Sequence, residues 1–190
     1  MNKDDIIALP NDHLRTRSKK VGLVDDQIRR LINDMKTATL DWEDSREHEV
    51  GVALAAIQVD RPLRVVVIRN DFDNKDDRSF TVFINPIVTK YEGEIEEDYE
   101  GCLSVPDIYG KVPRYYRVRI KAQDEQGREF RVTAEGFLAR VFQHEIDHTN
   151  GLVFIDHIKD DEKAFYKLLD DGHLQQLDYE KDIRTNSLLW

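Results

Sequence analysis

The sequence predicts an α+β fold in which antiparallel β-sheets pack around a central helix carrying an H-E-x-x-H motif. Three observations predict it. Phe137, Leu138, Val141 and Phe142 recur at helical spacing ahead of Gln143-His144-Glu145-Ile146-Asp147-His148, and Asn150-Gly151 is a common helix stop. Residues 114–123 and 128–133 alternate apolar and charged side chains around the turn Asp124-Glu125-Gln126-Gly127, as a hairpin does. Between Arg61 and Arg69, Leu63, Val65, Val66, Val67 and Ile68 form a strand-like run. A length of 190 residues suits one domain over 1–190. Its core is expected over about 5–160, with a C-terminal helix and tail over 160–190.

Taken in order, residues 1–24 read as an irregular arm laid over the core. Residues 25–40 read as a helix, with Ile28, Leu31, Ile32 and Met35 as its apolar stripe and an acid near its start. Residues 41–49 are acidic and polar and read as an exposed loop. Gly51 to Ile57 is small and apolar, a buried strand or tight packing segment, and ends at Gln58, whose amide needs partners if buried. The Asp-rich stretch 70–79 lacks EF-hand spacing and reads as a solvated turn. Phe80 to Val88 reads as a second strand, with Pro86 marking an edge or an end. Most of the acidic run over 92–100 reads as a solvated face, with Glu100 set aside because it touches the next motif. Gly101 and Pro106 bracket an abrupt bend, which places Cys102 on a loop or strand end. The motif helix is expected to start near Thr133 or Ala134. Residues 152–155 should pack behind it, 160–171 look helical, and 173–190 look loosely held.

Composition excludes several roles. A net charge of −10 argues against broad binding to nucleic-acid phosphate, although a local basic patch is compatible with it. No apolar run approaches membrane-spanning length and the N-terminal residues lack an apolar signal core, so a cytoplasmic location is the default expectation. Cys102 is the single cysteine, so no intrachain disulfide can form.

His144 and His148 are four residues apart, so both imidazoles leave one helix face a turn apart. Two neutral imidazoles so placed can share a metal ion, and Glu145 beside the first can act as general base toward water on that ion. A catalytic site of this kind takes a third protein ligand. Cys102 is the natural candidate; Asp147, Asp156, His157 and His173 are the others. Asp147 points away from the histidine face and better suits supporting a ligand than being one.

Three ordered segments, Gly51 to Gln58, Glu100 to Ser104 and Gln143 to His148, resemble the signature segments of the bacterial-type peptide deformylases. The resemblance extends to Pro10–Arg15, Val112-Pro113-Arg114 and Gly151, and spans roughly residues 5–160. It implies that Cys102, His144 and His148 bind one divalent metal ion, ferrous iron in the family's usual active form, with zinc, nickel or cobalt able to substitute. It implies Glu145 as general base and then general acid. It implies the Gln58 amide and the Leu103 N–H as donors to the oxyanion. The substrate would be an N-formyl-methionyl nascent peptide, laid as a strand along Gly51, Val52 and Ala53, its methionine side chain in a pocket lined by Phe137, Val141 and Val52. Formate and a free N-terminal methionine would leave. The family's first segment usually has Gly where this chain has Ala53. The tail is not clearly basic, so ribosome docking through it is not carried over.

Two other readings stand beside this one. A zinc metallopeptidase shares the helix pattern but needs a third His or Glu downstream, here His157 or His173. A deformylase-like protein that binds peptides without turnover is kept open by Ala53.

Overall fold

The computed structural model describes residues 1–190. Its first helix, α1, spans Asp26–Asp44, and the Asp25 side chain accepts from the N–H groups of Gln27 and Ile28. Such a cap answers donors that a helix start leaves unpaired. Leu31, Ile32, Met35 and Ala38 form the buried stripe. The helix runs four residues past its expected end, into the stretch read as an exposed loop. Glu43 is buried there because Arg69, far along the chain, supplies a charge partner at 2.7 Å.

The strands are β1 (Ala53–Ala55), β2 (Val65–Arg69), β3 (Phe80–Cys102), β4 (Val105–Gln123), β5 (Glu129–Glu135), β6 (Phe165–Leu168) and β7 (Leu174–Gln176). They join as one seven-stranded sheet in the order β1-β2-β3-β4-β6-β7, with β5 also paired to β4. All pairings between these strands are antiparallel. The second helix, α2, spans Gly136–Thr149. β2 lies between the two helices. Val66 and Ile68 join the cluster of α2 residues Phe142 and Ile146, while Val65 and Val67 join that of α1 residues Leu31 and Met35. Alternate side chains leave opposite faces of a strand, so a strand covered on both faces reads as an unbroken apolar run.

Four sequence expectations are corrected. β3 does not close near Pro86 but continues to Cys102; a register irregularity between Ile84 and Ile87 takes up the proline. The acidic run is therefore strand, solvated as expected and faced by cations of β4, as in the Glu92–Arg119 pair at 2.7 Å. The start of α2 falls later than Thr133 or Ala134, because those residues complete β5 against Arg119 and Val118. Residues 160–171 are not helical: β6 and β7 form a hairpin whose turn contains Gly172 at φ +81°. β6 covers the open edge of β4 at Ile108–Gly110, and an unpaired edge favours such a partner over local helix propensity. The tail is likewise anchored, with Ile183 and Leu189 buried and the Trp190 indole N–H donating to the Ile183 carbonyl at 3.1 Å.

Other expectations hold. Of residues 152–155, Val153, Phe154 and Ile155 are buried, in a separate cluster with Phe165 and Cys102, whereas Leu152 stays 40% exposed. The hairpin between β4 and β5 turns at Asp124–Gly127, where the Asp124 carboxylate accepts from the N–H groups of Gln126 and Arg128. The N-terminal arm is irregular but pinned, since Ile7 N–H donates to the Gln58 carbonyl at 2.8 Å and Leu9 N–H to the Ser104 carbonyl at 2.9 Å. At the end of α2, Gly151 sits at φ +80°, and a Cβ there would run into the Arg15 carbonyl. Only glycine meets both demands.

Candidate metal centre and active site

Helical spacing puts the His144 and His148 rings one turn apart, with centroids separated by 4.9 Å. Cys102, the last residue of β3, reaches them: its Sγ lies 3.2 Å from His148 Nε2. A ligand atom from each of Cys102, His144 and His148 falls within 4.8 Å of the other two. The tight turn Leu103-Ser104 between β3 and β4 makes this meeting, since Cys102 pairs with Val105 across it.

The other candidates for third donor point elsewhere. Asp147 accepts from Arg114 Nη1 at 2.6 Å and lies 2.7 Å from His157 Nε2. Asp156 pairs with Arg15. His173 is exposed beside Asp171. The histidine that a metallopeptidase reading requires is therefore committed to other partners.

The donor set suits a transition-metal ion. A thiol and two imidazoles favour zinc, iron and their neighbours over magnesium or calcium. The His144 Nδ1–H donates to Glu100 Oε2 at 3.0 Å, leaving Nε2 free to ligate. That is the usual way a ligating histidine is oriented. Without metal, burial opposes charge on His144, but Cys102 and Glu100 outweigh it and hold its proton on. Burial and the His144 charge push His148 down. A cation entering here displaces a proton.

Glu100 is the hub behind His144. Its carboxylate accepts from Arg114 Nε and Nη2 at 2.8 and 3.1 Å and from Arg140 Nη1 at 2.9 Å. Burial alone would raise its pKa, but His144 and Arg114 hold it well below the usual carboxylate range. Arg140 escaped the sequence reading, although it sits four residues before His144 and so on the same helix face.

Glu145 is buried beside the candidate ligands, and its Oε2 has no hydrogen-bond partner. Burial pushes its carboxyl up to about 7; a bound cation would draw it down again. Gln58, 1% exposed, is held by its carbonyl, which accepts from Ala55 N–H at 2.8 Å. Its amide nitrogen then lies 3.2 Å from Ser104 Oγ and 3.5 Å from Cys102 Sγ. The Leu103 N–H makes no hydrogen bond within the protein.

These groups border a cavity of about 250 Å³, lined also by Val52, Ala53, Phe137 and Val141. β1 is the terminal strand of the sheet, so one backbone edge stays unpaired beside the cavity. Gly51 does not line it. Its N–H donates to Glu43 and a Cβ would strike the Thr39 carbonyl at 2.7 Å, so its small size serves packing against α1. Ala53 lies in ordinary extended strand, outside the positive-φ positions, and accommodates its methyl without backbone strain.

The mouth carries a feature that sequence did not suggest. Tyr109 donates its hydroxyl to Glu49 Oε2 at 2.6 Å, and Arg46 bridges Glu49 to Asp107. Burial, then the Glu49 carboxylate, raise the phenol well above its ordinary 10.0. A raised acid favours the protonated form, so this bond stabilises the fold below pH 10 and is lost as pH climbs through the higher folded value. An ultraviolet titration of tyrosinate should find Tyr109 still protonated at pH 10, and Glu49→Gln should lower its transition. Titration of Tyr109 with the exposed tyrosines would contradict the geometry.

Fold and site point to a class: α+β metallohydrolases, here with an H-E-x-x-H helix met by a thiol from a neighbouring strand that could complete a metal site. Comparison with known proteins narrows this. The polypeptide deformylase family model matches residues 3–164. Peptide deformylase 1 of Pseudomonas syringae is 44% identical over 155 residues, covering 81% of this chain and 86% of that one. The peptide deformylase of Chromohalobacter salexigens is 42% identical over 159 residues, covering 83% and 87%. Among solved structures, a Synechococcus elongatus peptide deformylase in complex with actinonin aligns with a TM-score of 0.73 at 35% identity, covering 80% of this chain and 78% of that one. One from Legionella pneumophila aligns with a TM-score of 0.69 at 41% identity, covering 80% and 83%. The chain belongs to the polypeptide deformylase family.

Proposed function

We infer that the protein is a metal-dependent hydrolase that removes the N-formyl group from the N-terminal methionine of newly made polypeptides, releasing formate. The observation that carries this reading is the convergence of Cys102, His144 and His148 beside the buried, unpartnered Glu145. Neither alternative gains support: the metallopeptidase lacks its third histidine, and Ala53 fits its strand.

In this reading Cys102, His144 and His148 hold one divalent ion, ferrous iron by family resemblance. When bound, the ion supplies Lewis-acid polarisation and makes water acidic enough to act near neutral pH. Glu145 takes the proton from the attacking water and passes one to the departing amine nitrogen as the C–N bond breaks. Its burial leaves it no other partner to release first. The Gln58 amide and the Leu103 N–H donate to the formyl oxygen as it gains charge. Fixed donors cost no reorganisation at that moment, and Gln58 is fixed by Ala55. The peptide backbone runs along the free edge of β1, and the methionine side chain enters between Val52, Phe137 and Val141. Glu100, with Arg114 and Arg140 behind it, holds His144 in its ligating orientation. A nascent-chain substrate supports a cytoplasmic location.

The direct test is formate release from formyl-Met-Ala-Ser by protein loaded with ferrous iron without oxygen. Turnover is expected. Silence from a fully metallated sample, with peptide still bound, would favour a binding protein.

A further inference from the structure

A buried ion pair lies behind the peptide wall of the cavity and has no part in the chemistry above. Arg69 ends β2, and its Nη1 donates to Glu43 Oε2 at 2.7 Å, the two side chains being 0% and 3% exposed. The same Glu43 oxygen accepts the Gly51 N–H at 2.9 Å. The Arg69 backbone N–H donates to the Val52 carbonyl at 2.8 Å. Its Nη2 donates to the carbonyls of Asn74 and Asp77 at 3.3 and 2.6 Å. One residue thus gathers the last turn of α1, the Gly51-Val52 backbone and the 70–79 loop.

Two of those segments border residues that line the cavity, and the third packs on a lining residue. Trp42, next to Glu43, lines the cavity, as does Val52, next to Gly51. Phe72, in the loop, sets its ring edge-on against Phe137 with centroids 5.0 Å apart. Phe137 in turn lines the cavity while remaining 46% exposed. Stability is a weak reason for such a pair, because well-packed apolar residues often replace buried ion pairs without loss. Arg69 Nε is even left without a partner. What a guanidinium supplies is several donors in a fixed plane, which neither lysine nor a hydrophobe reproduces.

We propose that Glu43 and Arg69 are positioning residues for the peptide-binding wall: they set the distance between the free edge of β1 and the Phe72–Phe137 contact. They govern how tightly, and with what preference for methionine, the formylated peptide is held. They do not govern the chemical step. This rests on the deformylase reading.

The test is the double substitution Glu43→Leu with Arg69→Met, studied beside Arg69→Lys, Phe72→Ala and the wild-type chain, all loaded with the same metal. Metal content, kcat and KM are measured on formyl-Met-Ala-Ser and formyl-Leu-Ala-Ser. The double variant should bind full metal, raise KM for the methionine peptide about tenfold with kcat within about twofold, and narrow the preference for methionine over leucine. Wild-type KM in a folded, metallated double variant overturns the proposal, and so does a fall in kcat at unchanged KM. Should the double variant not fold, Arg69→Lys and Phe72→Ala decide: wild-type KM and selectivity in both overturn it, and a raised KM with narrowed selectivity sustains it. Absence of formate from the wild-type chain overturns the deformylase reading and this proposal with it, whereas turnover by wild type beside unaltered variants overturns this proposal alone.

Discussion

Glu145→Ala should keep its metal and lose hydrolysis. The carboxylate is not among the three converging ligand atoms, so its removal leaves the donor set intact. It is also unpartnered at Oε2, so truncation strands no buried cation or donor. A positioned general base contributes about 10²- to 10⁴-fold, which is about 3–5 kcal/mol of barrier. The loss should appear in kcat more than in KM, because proton transfer belongs to the transition state and not to peptide binding. Metal analysis together with single-turnover formate release checks this. Full rate in a metallated Glu145→Ala sample would sink the assignment. Loss of metal together with rate would make Glu145 a structural support instead.

The second large effect is Cys102→Ser, which should lose the ion itself. Serine is nearly isosteric, and the site is closely packed, with Cys102 9% exposed. The fold should therefore survive. A neutral hydroxyl gives no thiolate, and two imidazoles alone fall short of the three protein donors that such a site uses. Bound metal after dialysis should fall to about a tenth or less, and formate release by about 10³-fold or more, beyond the 10–100-fold typical of disturbing only the groups that support ligands. Metal content at wild-type stoichiometry, with activity toward internal peptide bonds, would instead revive the metallopeptidase reading.

Why sequence foresaw the convergence of Cys102, His144 and His148 but not its surroundings has a physical answer. The spacing of His144 and His148 and the breaking residues around Cys102 are local signals, set by helix geometry and turn chemistry. The meeting of β3 with α2 is not local; family resemblance supplied it, and the coordinates place the sulfur 3.2 Å from His148 Nε2. Burial of Glu43 and Glu100 was hidden because each depends on arginines remote in the chain. The acidic run around Glu96 is solvated as its charge implies, but charge density says nothing of backbone, and its pairing with β4, whose cations face it, was not legible. Residues 160–171 misled for a related reason. Their composition permits a helix, but the bare edge at Ile108–Gly110 recruits Phe165–Leu168 as strand.

The two bonds from the arm bear on when the molecule becomes competent. Ile7 holds the carbonyl of Gln58 and Leu9 that of Ser104, so a stretch synthesised before them braces groups made later. During synthesis the Leu9 N–H has no such acceptor until the turn between β3 and β4 has been made. Order in this arm is thus a reporter of order around Gln58 and Ser104, readable by amide exchange at Ile7 and Leu9.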